Sequence, residues 1–331
     1  MPGPTNKCAM RVTMVFIGLL FAFAFGPDAS ASERQHVIVV VGAAGEVRYA
    51  EVFAQWAELW KSAAERGDTE LTLVGTESNE TDCRQRVLNA LKHAAETQAE
   101  EAVWLVLIGH GTFDGRSAGF NLQGPDLYAP DIAQALAESK RPIAVINCAS
   151  CSAPFINELS GPDRIVMTGT KDGSELQFAH FGGFLAEAIG TLDADIDRDG
   201  QTSLLEAWLF AASRTEQFYE ADGRLATEHS LLDDNGDHKG TRSEVFEGTR
   251  VRSNVKQRNT MDGQQARRWH LVRSEAERSL TAEQRAVRDR LEADLEVLRD
   301  RKSELTEEAY LQQLQEILLP LASLYERADQ P

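Results

Sequence analysis

Apolar and polar positions alternate along the first half of the chain in blocks that predict strands and helices in turn. Residues 36–42 form a continuous apolar run, which is the pattern of a strand buried on both faces of a parallel sheet. A helical stretch follows at about 47–64, carrying Phe53, Trp56, Leu59 and Trp60 on one side. A second strand is predicted at 70–75 and a second helix at about 82–98, with Val87, Leu88 and Leu91 facing inward. The third strand, 103–108, ends abruptly at Gly109-His110-Gly111. A glycine-rich loop through Gly115, Gly119 and Gly124 then leads to a helix at about 129–138, a fourth strand at 142–147 and a fifth at 164–170. Strands separated by helices imply right-handed crossovers, hence an α/β fold with a mostly parallel sheet between helical layers.

Beyond Ser174 the pattern turns helical. Helices are expected at about 175–189 and 203–220, separated by an acidic loop, and a polar stretch follows from 221 to about 262. From about 264 to 328, Leu291, Leu295, Leu298, Leu305, Leu311, Leu314, Leu318, Leu321 and Leu324 recur at mostly helical spacing among alternating charges. That pattern fits a helical hairpin or coiled coil, docked on the main body or open to self-association, and equally a solvated helical tail.

At the other end, Lys7 and Arg11 precede an apolar run at 12–25, a Gly26-Pro27 break and Ala29-Ser30-Ala31. This is the layout of a secretory signal peptide over 1–31, and it predicts export to a periplasmic or extracellular space. A retained anchor is the alternative, although the run is short for a membrane span. The expected organisation is therefore a leader, an α/β domain at 33–190, a calcium-loop extension at 191–245 and the helical segment at 264–328. A net charge of −18 argues against nucleic acid as a partner. Of four cysteines, Cys8 would leave with the leader. Cys83, Cys148 and Cys151 then remain, and an odd count in an oxidising compartment leaves at least one thiol free or paired between chains.

His110 and Cys148 carry the candidate chemistry. Each follows an apolar strand, so both fall at the carboxyl edge of the sheet, where ligands bind in open α/β folds. An imidazole beside a thiol is the arrangement of a cysteine nucleophile with His110 as acid/base, and the Gly111 amide suits an oxyanion hole. The same edge offers two competing readings. Cys151 can replace Cys148 as nucleophile, and Cys148-Ala149-Ser150-Cys151 is also a C-x-x-C pair suited to thiol–disulfide exchange.

The succession of strand, His110-Gly111, helix, strand and Cys148-Ala149-Ser150-Cys151-Ser152 resembles the caspase-like superfamily of cysteine peptidases, and within it the legumain-like branch. The interval from His110 to Cys148 is 148 − 110 = 38 residues, close to the spacing in that branch, and the likeness extends over about 35–188. It implies a caspase-like three-layer sandwich and an endopeptidase acting on peptide or protein substrates, with the amides of Gly111 and Cys148 at the oxyanion. Asn147 stands where legumains carry Glu-Ala, and Cys151 replaces a glycine. Those departures put asparaginyl specificity in doubt and leave room for a catalytically inactive binding protein on the same fold.

A separate motif lies at 195–206. Asp195, Asp197 and Asp199 fall at positions one, three and five of an EF-hand loop, Gly200 at six, the Gln201 carbonyl at seven, Ser203 at nine and Glu206 at twelve. Calcium is the expected ion. Thr202 stands where such loops carry Ile or Val, which weakens pairing with a second loop. A looser alternation at Asp233, Asn235 and Asp237, with Glu244 at twelve, marks a possible second site.

Overall fold

The structure, a computed structural model, describes residues 1, 3, 34–77, 80–97, 101–252 and 261–328. The apolar run and cleavage motif of the expected leader lie outside these residues. Among the described residues no helix is long and apolar enough to cross a membrane.

All five predicted strands form. They are β1 (His36–Val41), β2 (Glu70–Val74), β3 (Val103–Ile108), β7 (Ile143–Asn147) and β8 (Arg164–Thr168), and neighbouring members pair in parallel. The complete order is β10-β9-β8-β7-β3-β1-β2, with β9 (Leu231–Asp233) and β10 (Thr241–Arg242) added antiparallel at one edge. These two come from the stretch expected to be polar and irregular. Three- and two-residue strands are too short to leave a period in the sequence.

Side-chain alternation divides the core into two layers. Val37, Val39, Trp104, Val106, Ile108 and Ile146 face α1 (Val47–Arg66), α5 (Phe181–Ala188) and α6 (Leu204–Ala221). Ile38, Val40, Leu105, Leu107 and Val145 face α2 (Cys83–Glu96), α3 (Ala129–Ala135) and α4 (Phe155–Leu159). The result is the expected three-layer α/β sandwich with a mostly parallel sheet and a helical carboxyl-terminal region. After β3 the glycine-rich loop is a small antiparallel sheet of β4 (Gly111–Phe113), β5 (Ala118–Phe120) and β6 (Leu127–Tyr128).

The helix expected from about 175 starts only at Phe181. The Glu175 carboxylate instead accepts the amides of Lys171 at 2.9 Å and His229 at 3.1 Å, which holds the chain in a loop. Downstream lie a hairpin of β11 (Phe246–Glu247) and β12 (Arg250–Val251), then α7 (Glu275–Arg278), α8 (Ala282–Asp300) and α9 (Glu307–Ala328). The last two pack on each other as a helical hairpin.

Candidate functional site

The strands deliver His110 and Cys148 to adjacent positions, because β3 and β7 pair in register with Leu107 opposite Asn147. Gly111 makes the contact between the two strand ends. A Cβ there would stand 2.2 Å from the Ser150 carbonyl oxygen, so only glycine allows the approach. Gly111→Ala is expected to cost ~1–3 kcal/mol by overpacking, read as a lower denaturation midpoint with unchanged slope.

His110 is half-buried in an aromatic cage. Its ring centroid lies 4.8 Å from Tyr49, 5.2 Å from Phe53 and 6.0 Å from Phe178. Nε2 is 3.2 Å from the Ala44 carbonyl, so it carries the proton and donates. Burial lowers the imidazole pKa, and the Ala44 carbonyl offsets this in part. His110 is therefore neutral near pH 7, as a base requires.

Cys148 is in a different state. It is 1% exposed and belongs to the core layer that also holds Trp56 and Phe181. Gly182 of α5 lies directly on it, since a Cβ at that glycine would be 3.2 Å from Sγ and 3.0 Å from the Trp56 ring. Burial, assisted by the negative charge of Glu228, pushes the thiol up to about 12. Trp56 contacts Phe178 at 5.8 Å, and Phe178 in turn meets the His110 ring. No hydrogen bond joins the imidazole to the thiol among the described residues.

The amides expected at an oxyanion hole are also occupied. Cys148 N–H donates to the Leu107 carbonyl at 3.0 Å, continuing the sheet ladder. Gly111 N–H donates to Ser150 Oγ at 3.3 Å, and that hydroxyl lies 3.2 Å from the Gly111 carbonyl.

Cys151 occupies the left-handed region at φ 55°, rare for a side chain with a Cβ. Its amide donates to the Glu175 carbonyl at 3.0 Å, and its buried Sγ lies 3.7 Å from the same oxygen. Burial raises its pKa, and the Ser150 hydroxyl works against the rise. Cys83, Cys148 and Cys151 are all free thiols. The C-x-x-C pair does not open a helix, since α4 begins only at Phe155, and a thiol–disulfide exchanger lacks its usual support here.

Several polar groups around the site had no periodic signal in the sequence. Glu228, buried, accepts from the His180 and Phe181 amides at 2.8 and 3.0 Å and from the Tyr219 hydroxyl at 3.0 Å, so it caps α5 where that helix covers Cys148. Burial pushes its carboxyl up to about 7. His229 Nδ1 lies 2.6 Å from Glu175 Oε1 and 3.3 Å from Lys171 Nζ. The one clue was an adjacent acid–imidazole pair ahead of a short apolar run. Beside the His110 cage opens a cavity of 510 Å³ whose wall includes Arg48, Tyr49, Phe178, His180, Tyr219 and Arg224.

In the acidic loop, ligand atoms of Asp195, Asp197 and Asp199 lie within 4.8 Å of one another, the one such acidic or metal-ligating group among the described residues. Asp195 accepts the amides of Asp199 and Gly200 at 3.1 Å each, and Gly200 has φ 87°. Glu206 folds back over the loop, accepting from Ile196 N–H at 2.9 Å and Asp197 N–H at 3.2 Å. Burial and then neighbouring carboxylates raise the pKa of Asp197, and burial is likewise the first cause at Asp199. A cation among these three carboxylates would relieve that repulsion, and all-oxygen donors of this kind suit calcium. Ser203 is committed to the capping box of α6 with Glu206.

The second alternation lies at a strand end and the turn that follows it. Asp233 is fully buried and accepts from Ser160 Oγ at 3.1 Å and Gly236 N–H at 3.2 Å. Asn235 Oδ1 accepts the Asp237 amide, and Asp237 accepts the Lys239 amide, both at 2.8 Å. The three residues therefore build a turn, and Glu244 sits in a separate 3-10 turn where it pairs with Arg242.

No family model matches this chain, and no curated protein matches it. Solved structures similar to it include caspase-1 from Spodoptera frugiperda, at 10% identity and TM-score 0.39, covering 61% of this chain and 86% of that one. Another is the Drosophila initiator caspase Dronc, at 14% identity and TM-score 0.38, covering 65% and 84%. Neither likeness assigns a role to any residue.

Proposed function

We propose that this chain is an exported protein of caspase-like architecture that binds peptide segments bearing a carboxylate and does not hydrolyse them. The state of Cys148 supports this reading: a thiol held near 12, covered by Gly182 and Trp56 and 1% exposed, has almost no thiolate at neutral pH. The binding site is the 510 Å³ cavity beside His110, where Arg48 and Arg224 supply guanidinium groups suited to a carboxylate and Tyr49 and Phe178 supply an apolar wall. Both arginines already have acidic neighbours, Glu46 and Asp222, but these ion pairs are largely exposed and of little energetic weight. Peptides with a central Asp or Glu are expected to bind at least tenfold tighter than their Asn or Gln counterparts, and Arg224→Ala should remove the preference in a fluorescence titration. Equal affinities would eliminate this cavity as the site.

One observation favours hydrolysis instead. His110 and Cys148 both face the α1 and α5 layer from neighbouring strand ends, so a movement of the loop at 174–181 together with α5 is what a peptidase would require.

Calcium is proposed at 195–206. Asp195, Asp197, Asp199, the Gln201 carbonyl and Glu206 would hold it, and its charge would offset the clustered carboxylates. At ten millimolar calcium and a Kd of about 10⁻⁴ M, binding adds about 2.7 kcal/mol. The melting temperature should rise by roughly 3–6 °C and fall back with chelator. Glu206→Gln should lose most of the rise, and an unchanged wild-type melt in both media would remove calcium from the account.

A further inference from the structure

We infer that the segment at 269–274 takes the place of a second calcium loop, so that cation binding at 195–206 is linked to the docking of α7 and α8 on the body. The inference rests on the calcium proposal above and concerns which residues of this chain respond to the ion.

Loops of this kind are steadied by pairing through their centre. Here Thr202 does not reach toward another loop, because its hydroxyl donates to the Thr191 carbonyl at 2.5 Å within its own connection. The pairing is made by the neighbouring residues. Ser203 forms an antiparallel bridge with His270, and Leu204 N–H donates to the Trp269 carbonyl at 2.8 Å. Gln201 extends the contact. Its Nε2 donates to Asp199 Oδ2 at 3.2 Å, while its Oε1 accepts the Ser274 amide at 3.1 Å. One side chain thus joins a proposed ligand to the N-cap of α7, where Ser274 Oγ accepts the Glu277 amide.

The segment is held on its other side by the amino edge of the sheet. Gln35 Nε2 donates to the carbonyls of His270 and Leu271 at 3.1 and 3.3 Å, and Gln35 Oε1 accepts from Trp104 Nε1 at 2.8 Å. Trp269 packs edge-on against Trp104 at 5.4 Å, and Leu271 is fully buried. Immediately beyond it, Arg273 and Arg285 converge on Glu101. With the loop on one face and the sheet on the other, the segment loses half its support if the loop opens. Without the ion, three carboxylates whose oxygens lie within 4.8 Å of one another repel, and that repulsion favours the opening. Linkage then requires the reverse effect as well, with docking of the helices tightening the ion.

Hydrogen exchange of the full chain, read by mass spectrometry in ten millimolar calcium and in chelator, tests the linkage alongside calorimetric titration of the ion. Chelation should speed exchange at least tenfold at 269–280 and in the first turns of α8, while β1, β3 and β7 stay protected. Gln201→Met keeps the backbone carbonyl at position seven but cannot accept the Ser274 amide. It should still bind calcium within a few-fold of wild type, with exchange at 274–280 no longer responsive to the ion. Calcium bound with unchanged exchange at 269–280 would overturn the linkage while leaving the loop assignment standing. No heat of binding would overturn both. If Gln201→Met does not fold, the wild-type pair of conditions decides alone.

Discussion

In the folded protein at pH 8, Cys148 is expected to react with iodoacetamide about 10³-fold more slowly than in the unfolded chain. Only the thiolate attacks, and a shift from a free thiol's ~8.5 to about 12 removes roughly three decades of it before access is considered. Peptide mapping separates Cys148 from Cys83 and Cys151, which are also free and buried. The shift is equally a statement about stability. Because the folded-state pKa is raised, the folded protein retains a proton that the unfolded chain has lost, so the stabilisation is complete below ~8.5 and decays as pH rises toward 12. The loss is on the order of 5 kcal/mol across that window. Cys148→Ala should flatten this alkaline decline. A steep decline that persists in the variant would assign it to other groups.

Arg288→Ala is expected to destabilise the protein by about 3–5 kcal/mol, because it leaves a buried carboxylate without its partner. Arg288 is 4% exposed and Glu277 2%. The guanidinium pairs with Glu277, with Asp289 at 2.7 Å and with Glu292 at 3.8 Å, while the Tyr325 hydroxyl donates to Glu277 at 2.7 Å. These contacts join α7, α8 and α9. Removing both charges as Arg288→Met with Glu277→Leu should recover most of the loss, since a well-packed apolar pair often matches a buried ion pair. Urea denaturation of the single and double variants measures the difference. A single variant within ~0.5 kcal/mol of wild type would mean that the Arg288–Glu277 cluster contributes nothing to the stability of the fold.

The two predictions also mark where the sequence was informative. The parallel strands were legible because β1, β3 and β7 are nearly continuous apolar runs and β2 and β8 are short β-branched and aliphatic stretches, each closed by a turn signal, and the placement of His110 beside Cys148 followed from their order. What the run could not reveal is what covers the thiol. Gly182 and Trp56 lie 34 residues after and 92 residues before it, and the carboxylate that caps α5 is Glu228. Reactivity at a strand end is decided by such non-local neighbours, whereas the cluster of Asp195, Asp197 and Asp199 was legible because its members stand two residues apart. At Asp233, Asn235 and Asp237 the local alternation gave no sign of the long-range contact: Asp233 is the end of a strand, bonded to Ser160 from 73 residues away. The leucine series was only half informative. Leu295 and Leu298 are buried, yet Leu311 and Leu318 face solvent.

The most direct test incubates the calcium-loaded chain and its Cys148→Ala variant with a panel of peptides carrying Asp, Glu, Asn, Arg or Lys at the centre, and reads both retention and new termini by mass spectrometry. Retention of the acidic peptides without any new terminus, identical in the two proteins, is the predicted result. Cleavage by the wild type that disappears in Cys148→Ala would contradict the account and restore Cys148 as a nucleophile.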